Sequence, residues 1–155
     1  MKIRTATAGN AKAMSEMLQG LVTAGKRTAR ADVEFVLENY VGNPVGIRCS
    51  LAEDERGAFL GFQSLIRSTE ANRYGTPVGW GIIGTHVSPD AARTGVGTAL
   101  FAASRKAAIE AGLTKIEAFI GKDNKIAQSY YERMGFETYR QTDTAVCKAW
   151  TSDEN

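Results

Sequence analysis

The residues best suited to chemistry form one segment, Val87–Thr98, with the sequence Val-Ser-Pro-Asp-Ala-Ala-Arg-Thr-Gly-Val-Gly-Thr. Its pattern indicates the end of a strand, a turn fixed by Pro89, a glycine-bearing loop and the start of a helix. The first N–H groups of a helix lack intrahelical acceptors and lie at the positive end of its dipole. Such a loop binds phosphate, glycine leaves room for the ligand, and Arg93 and Thr94 add a cation and a hydroxyl. The segment therefore predicts a phosphate-bearing ligand.

A second glycine pattern, Gly79-Trp-Gly-Ile-Ile-Gly84, matches the GxGxxG signature of dinucleotide-binding folds letter for letter. That signature requires the glycines to follow a strand and to open a helix, with an acidic residue about 20 residues further on. Here the next residues, Thr85-His-Val-Ser-Pro89, continue a strand and then end it. We therefore expect a glycine-rich strand that a ligand or a bulge can approach closely, and not an NAD-dependent enzyme.

Composition narrows the classes of function. The 155 residues, 43% hydrophobic and 23% charged, predict one soluble domain over residues 1–155. A net charge of +2 without a dense Lys/Arg stripe argues against a nucleic-acid partner. No apolar run approaches the roughly 20 residues that span a bilayer, so no membrane partner is expected. The N-terminal residues lack the apolar segment of a secretory signal, which predicts a cytoplasmic protein.

Cysteine and histidine are too sparse for a metal site. Cys49 and Cys147 are 98 positions apart, with no CxxC pattern and no histidine nearby. We expect both as small core residues, with a long-range disulfide left open. His86 is the one histidine, so a zinc site built from three histidines is excluded. A Ser-His-Asp arrangement would have to use His86, and no GxSxG elbow accompanies it.

The elements that must position these residues follow the order β-α-α-β-β-β-α-β-α-β-β. The predicted strands are Lys2–Thr7, Ile47–Glu53, Ala58–Arg67, Val78–Val87, Leu113–Ile120, Phe136–Arg140 and Ala145–Trp150. The predicted helices are one capped by Asn10, one over Val33–Tyr40, one over Gly97–Ala111 and one over Asn124–Met134. The strand–loop–helix–strand step from Val78 to Ile120 implies one parallel pair in an otherwise antiparallel sheet. The predicted fold class is therefore α+β, a mixed, mostly antiparallel sheet with helices on both faces.

The last helix carries two adjacent tyrosines. Ala127 and Tyr131 lie four residues apart on one helix face, and Ile126, Tyr130 and Met134 form the neighbouring apolar face. We therefore expect one tyrosine in the core and the other at a cleft.

Together these segments resemble the GNAT superfamily of N-acetyltransferases, which use acetyl-coenzyme A. Three matches carry the resemblance: Val-x-Pro before the loop, Arg-Thr-Gly-Val-Gly within it, and Asn-x-x-Ala…Tyr-Glu-x-x-Gly-Phe after it. Within the superfamily, the segments Val87-Ser-Pro…Arg93-Thr-Gly-x-Gly and Ile120-Gly…Asn124 look most like the phosphinothricin acetyltransferase branch. The chain departs from the family twice. Ala92 stands where the loop usually has Gln or Arg, and Ile82 stands at about the position of a glutamate in that branch.

The resemblance implies direct attack of a primary amine of a small molecule on the thioester of acetyl-CoA, without a metal. It places the cosubstrate against Val87, Ser88, Arg93, Thr94, Gly95, Val96, Gly97, Thr98, Asn124 and Ala127. It makes Tyr131 the candidate acid for the leaving thiolate, with a packing role as the alternative. His86 is the candidate base, since an unperturbed pKa of about 6.5 suits that task. Alternation, however, puts its side chain on the face opposite that of Thr85 and Val87. The alternative is a packed or exposed histidine, with a water relay as the base.

The acceptor is not identified by the sequence. Lys26, Arg27 and Arg30 form a basic cluster in a loop that the resemblance makes a wall of the acceptor site. An anionic acceptor such as the carboxylate of an amino acid would fit this cluster, and so would a solvated charge run. Two other functions stay open: a non-catalytic acyl-CoA-binding module, favoured by the missing glutamate, and acetylation of a peptide or protein amine. A homodimer also stays open.

Overall fold

A computed structural model describes residues 1–152, and the last three residues of the expected domain lie outside the described residues. Within this range the strands are β1 (Lys2–Thr5), β2 (Gly46–Glu53), β3 (Phe59–Arg67), β4 (Gly81–Val87), β5 (Lys115–Gly121), β6 (Glu137–Gln141) and β7 (Ala145–Thr151). The helices are α1 (Ala11–Thr23), α2 (Val33–Val36), α3 (Val96–Glu110) and α4 (Lys125–Arg133). A π-helical turn, Leu37–Val41, extends α2, and short 3₁₀ turns lie at Ala8–Asn10 and Pro89–Ala91. The predicted order of elements is confirmed.

The seven strands form one sheet in the order β1-β2-β3-β4-β5-β7-β6. Every neighbouring pair is antiparallel except β4 and β5, which are parallel. The predicted α+β class, with one parallel pair in a mostly antiparallel sheet, is therefore confirmed.

The parallel pair separates almost as soon as it forms. Only two positions pair β4 with β5, Gly81 with Ile116 and Ile82 with Glu117. Beyond them, β4 pairs only with β3 and β5 pairs only with β7. A wedge-shaped gap, called here the strand gap, thus opens between residues 83–87 and residues 118–121, near the middle of the sheet.

Helices cover both faces of the sheet, as predicted. One core cluster lies on the face of α3 and α4 and includes Phe101, Tyr131 and Phe136. The other lies on the face of α1 and α2 and includes Met14, Leu18 and Phe62. The two faces of β4 therefore look into different environments, and alternate residues of this strand are divided between them.

Several boundaries differ from the prediction. β4 begins at Gly81 and not at Val78, because Gly79 and Trp80 form a turn that bonds back to Ser68 through Gly79 N–H to Ser68 O and Ser68 N–H to Trp80 O. Gly84 lies inside β4 and does not open a helix, as the dinucleotide signature would require. β1 ends at Thr5 because the Asn10 side chain accepts the Thr7 N–H at 2.9 Å, so Asn10 holds this turn and not the first N–H groups of α1.

The two cysteines lie where the composition predicted. Cys49 on β2 and Cys147 on β7 are buried and unpaired. Burial raises the pKa of the Cys49 thiol to about 12, so this sulfur is a packed thiol at neutral pH. Within residues 1–152, no helix is both long and apolar enough to cross a bilayer.

Candidate active site

The loop between β4 and α3 has the geometry of an anion site. Arg93 has a φ of 65° and Gly95 a φ of 87°, so the chain turns through two left-handed residues before α3 begins at Val96. The N–H groups of the first turn of α3 have no intrahelical acceptors and point out of the helix end. A Cβ placed on Gly95 would meet no heavy atom within 4 Å, so the space in front of this turn is open. The predicted sequence of strand end, turn, glycine loop and helix start is therefore present.

Several side chains of this loop hold it in shape instead of facing the open space. The Thr94 hydroxyl donates to the Ala91 carbonyl, so it is not the free hydroxyl that the sequence suggested. The Ser88 N–H donates to Leu60 O at 2.8 Å and is therefore occupied by β3. The Val96 side chain is buried among Ala52, Ala91 and Leu100, and Val87 packs against the same cluster. Only the Thr94 hydroxyl thus departs from the role that the sequence suggested for a side chain of this loop, and the Arg93 side chain is exposed.

The edge of β4 that faces the strand gap carries free backbone groups. The Ser88 N–H donates to Leu60 O on β3, and the Trp80 C=O accepts from the N–H of Ser68, the residue after β3. Successive residues of an antiparallel strand direct their N–H and C=O alternately to the two sides. Thr85 and Val87 therefore direct their N–H and C=O groups, and Ile83 its C=O group, into the strand gap, where β5 no longer pairs with β4. An extended ligand with amide groups could bond to this edge as a further strand would.

A hydrogen-bonded network lies beside this edge. The hydroxyl of Tyr131 is 2.7 Å from Oγ1 of Thr85. The buried amide of Gln63 donates from Nε2 to Thr85 Oγ1 and to the hydroxyl of Tyr130, each at 2.9 Å. Tyr130 in turn donates to the Gly97 carbonyl in the first turn of α3 at 2.7 Å. The network therefore joins β3, β4, α4 and the start of α3.

The two tyrosines are not divided between core and cleft as predicted. Tyr131 is only 5% exposed and packs against Phe136, yet its hydroxyl reaches Thr85. Tyr130 is partly exposed and its hydroxyl belongs to the same network. Burial raises the pKa of Tyr131 above its ordinary value and that of Tyr130 to about 12. Ile126, placed by periodicity on an apolar face, is 84% exposed because that side of the first turn of α4 meets solvent.

The structure gives a further reason for glycine at position 97. A Cβ on Gly97 would lie 2.6 Å from Cε1 of Tyr130, so a side chain would displace this ring. On α4, Oδ1 of Asn124 accepts the Ala127 N–H at 3.1 Å, which confirms the predicted cap. Ala127 packs partly buried against the core, so its side chain faces inward at the start of α4.

His86 lies on the opposite face of β4 from Thr85, as alternation predicted. Its ring centroid is 4.9 Å from that of Phe62 and 6.2 Å from that of Tyr40. Burial, with a smaller contribution from the charge of Arg27, lowers the pKa of His86 to about 4. The imidazole is therefore neutral at pH 7 and is a weaker base than an ordinary histidine.

The three residues of the basic cluster, Lys26, Arg27 and Arg30, differ in their exposure to solvent. Arg30 is exposed and forms an ion pair with Asp32 at 2.9 Å, and Lys26 is exposed. Arg27 donates to the Arg30 carbonyl at 2.7 Å, and its guanidinium stacks 5.5 Å from the ring centre of Phe35. Arg27 is partly buried, and its positive charge lowers the pKa of His86. The same charge partly offsets the rise that burial causes in the pKa of Tyr40. Only Arg27 thus directs positive charge toward the face that carries His86.

One buried acid was missed by the sequence interpretation. Glu117 on β5 is fully buried and is the register partner of Ile82, the position where a glutamate was lacking. Its carboxylate accepts from Arg140 at 2.8 and 3.0 Å and from the hydroxyls of Tyr139 and Thr76. With its oxygens engaged by these donors, Glu117 ties β5 to β6 and to the loop before β4, and is not a free base. The feature of the sequence that could have identified Glu117 is an acidic residue within a mainly apolar strand.

Residues 14–136 match the model of the Acetyltransferase (GNAT) family. No curated protein matches the chain by sequence. Among solved structures, a GCN5-related N-acetyltransferase from Kribbella flavida is similar at 18% identity, with 97% of each chain covered and a TM-score of 0.79. The putative acetyltransferase yncA from Salmonella typhimurium, solved with its cofactor acetyl-CoA, is similar at 20% identity over 99% of this chain and 95% of the other, with a TM-score of 0.77.

A putative phosphinothricin N-acetyltransferase is also similar, at 19% identity over 96% of this chain and 94% of the other, with a TM-score of 0.73. It is one of many structural neighbours. At these identities the neighbours establish the fold, and they do not single out the phosphinothricin branch.

Proposed function

Because the chain belongs to the Acetyltransferase (GNAT) family, we propose that it transfers the acetyl group of acetyl-CoA to a primary amine of a small molecule, an amino acid or an analogue of one. One observation carries the proposal. The strand gap runs to the open first turn of α3, and the hydroxyl of Tyr131 lies at its side.

The cosubstrate fits this arrangement in two parts. The pyrophosphate would accept hydrogen bonds from N–H groups of residues 95–98, with the exposed side chain of Arg93 as a nearby cation. The amide-bearing arm would enter the strand gap and bond to the free edge of β4 at Ile83, Thr85 and Val87. Asn124 and Ala127 would border the arm at the start of α4. In this proposal Ser88, Thr94 and Val96 shape the loop, and Gly97 leaves room for Tyr130.

The chemistry needs a free amine, a polar site for the developing oxyanion and an acid at sulfur. The amine nitrogen attacks the thioester carbonyl carbon, a C–N bond forms, and the C–S bond breaks with its electron pair left on sulfur. Tyr131 gives its proton to that sulfur. The amine loses its extra proton to His86 or to water on the other face of β4, where the low pKa of His86 makes it a weak acceptor.

An amino acid suits the acceptor face because of Arg27. This partly buried guanidinium places a positive charge near His86 and Tyr40, where a carboxylate of the acceptor would find a partner. The phosphinothricin-like branch, whose name denotes an amino-acid analogue, belongs to this proposal as its narrower form. A peptide or protein amine and a non-catalytic acyl-CoA-binding module are the alternatives.

A thiol-release assay with acetyl-CoA separates these functions. The panel contains free amino acids, the corresponding amino-acid amides, polyamines and short peptides. We expect turnover with amino acids that is reduced for the amides, which lack the carboxylate, and an Arg27→Gln variant should lose this preference. Turnover with peptides alone would favour the protein-amine alternative. Saturable acetyl-CoA binding without turnover on any amine would identify a binding module.

A further inference from the structure

Gln63 is a buried polar residue with no contact of its own in the proposed chemistry. It lies at the centre of β3, is fully buried, and points its side chain toward the face of α3 and α4. Its amide nitrogen makes two hydrogen bonds, while its carbonyl oxygen Oε1 has no partner among the described residues. An unpaired buried carbonyl is unfavourable, and an apolar side chain of the same size would avoid it. The presence of a buried glutamine at this position, with its two N–H donors, therefore needs a structural or functional explanation.

The neighbouring hydrogen bonds fix the direction of this amide. Tyr130 donates its only hydroxyl proton to the Gly97 carbonyl at 2.7 Å, so toward Gln63 it can only accept. Gln63 must turn its NH₂ group toward Tyr130, and the same nitrogen then also donates to Thr85. The unpaired oxygen is the consequence of keeping both donors in place.

The hydrogen bond that Gln63 donates to Thr85 influences the next hydrogen bond, between Thr85 and Tyr131. Thr85 accepts a hydrogen bond from Gln63 and has one hydroxyl proton of its own. When Thr85 donates that proton to the Tyr131 oxygen, 2.7 Å away, the Tyr131 proton is left for another acceptor. A hydroxyl that accepts one hydrogen bond becomes a better donor in the next. The chain from Gln63 through Thr85 to Tyr131 ends beside the strand gap, where β4 has lost its pairing with β5.

We propose that Gln63 is a positioning residue for acetyl transfer, which acts through Thr85 to direct the proton of Tyr131 toward the sulfur of the leaving group. This inference rests on the proposed function, since it requires Tyr131 to be the acid. As the C–S bond breaks, sulfur keeps the electron pair and takes the Tyr131 proton. The phenolate that remains accepts from Thr85, which is itself held as a donor by Gln63. Water returns a proton to Tyr131 after the products leave.

The first test replaces Gln63 by methionine, which keeps the length of the side chain and removes both N–H groups. We expect kcat to fall about tenfold or more, the effect of losing a hydrogen bond to a group that develops charge. The KM for acetyl-CoA should stay at the wild-type value. Gln19→Met makes the same change on α1, where the amide donates to Ser15 at 2.8 Å, and should keep the wild-type kcat.

The second test asks whether Gln63 acts through Tyr131, by measuring Gln63→Met in a Tyr131→Phe background. We expect no further loss of kcat in the double variant. An equal loss in both backgrounds would show that Gln63 acts by another route and would overturn the inference. If Tyr131→Phe lowers kcat while Gln63→Met does not, the positioning role is wrong and the proposed function stands. If Tyr131→Phe itself has no effect, the acid assignment fails together with this inference.

A third variant covers the case in which Gln63→Met does not fold, which its melting curve would reveal. Thr85→Val replaces the hydroxyl between Gln63 and Tyr131 by a methyl group of similar size. The same loss of kcat, absent in the Tyr131→Phe background, supports the inference. A wild-type kcat in Thr85→Val overturns it.

Discussion

The hydroxyl of Tyr131 lies 2.7 Å from Oγ1 of Thr85, and this contact joins α4 to the part of β4 that β5 has left. The ring of Tyr131 is held in the core by Phe136, while its polar end meets the strand gap. A phenol placed in this way is fixed in position by packing and still borders the space into which a ligand arm would enter. Packing of the Tyr131 ring in the core therefore fixes the position of the hydroxyl that we propose as the acid.

Tyr131→Phe tests the role of this hydroxyl. The change keeps the ring and its packing and removes the proton donor. We expect kcat to fall by roughly 10²–10⁴-fold, the typical contribution of a general acid, with acetyl-CoA affinity nearly unchanged. Steady-state kinetics and calorimetric titration measure the two quantities.

Tyr139→Phe is the matched control for this prediction. Tyr139 is on β6, and its hydroxyl bonds to Glu117, away from the strand gap. This variant should lose stability but keep kcat. A wild-type kcat in Tyr131→Phe would mean that water or another residue protonates sulfur and that Tyr131 only packs.

Gly95 and Gly112 provide a test of the phosphate site at the two ends of α3. Their φ values are 87° and 75°, and at neither position would a Cβ meet a heavy atom within 4 Å. Replacing either by alanine should cost about 1 kcal/mol of unfolding free energy, because an L-residue is strained in this conformation. Only Gly95→Ala should weaken acetyl-CoA binding, since its methyl group enters the space in front of the first turn. If the two folded variants bind acetyl-CoA with equal affinity, the placement of the pyrophosphate at this site is wrong.

Arg93→Gly should change stability and affinity in opposite directions. Arg93 is the one residue other than glycine with a positive φ among residues 1–152. Glycine relieves that strain, so we expect the unfolding free energy to rise by about 0.5–1 kcal/mol. The loss of an exposed cation should weaken acetyl-CoA binding about fivefold, and less so at high salt. Urea unfolding and titration at two salt concentrations check both signs, and unchanged affinity at low salt would contradict a phosphate contact by Arg93.

The fold was predictable because strong local signals agreed with one another. The glycine loop, the helix cap at Asn124 and the polar turns fixed the order of elements and the single parallel pair. The separation of β4 from β5 was not predictable, since it depends on how two distant segments meet. For the same reason the sequence separated Tyr130 from Tyr131, while the structure joins their hydroxyls through Gln63, a residue on a third element. Polar residues inside apolar strands, Gln63 and Glu117, were the signals that a closer interpretation could have used.

His86 predicts a pH dependence of stability. Its pKa is about 4 in the folded chain and about 6.5 when unfolded, so between these values the unfolded state binds more protons. Stability therefore falls as the pH drops from 6.5 toward 4, by up to about 1.4 kcal/mol per pH unit for one proton. Denaturant unfolding at pH 7 and pH 4.5 measures this slope. In His86→Phe the slope over this window should be smaller, and an unchanged slope would show that His86 is not buried in its neutral form.

The most direct measurement of the central claim follows both products of one reaction. The protein is incubated with acetyl-CoA and a mixture of free amino acids, and free thiol and N-acetylated amine are quantified by a thiol reagent and by mass spectrometry. We predict that the two products appear in equal amounts and that both fall together in Gly95→Ala and in Tyr131→Phe. Thiol release without any acetylated amine, or an acetylation rate that neither Gly95→Ala nor Tyr131→Phe lowers, would contradict the proposal that this site transfers acetyl groups.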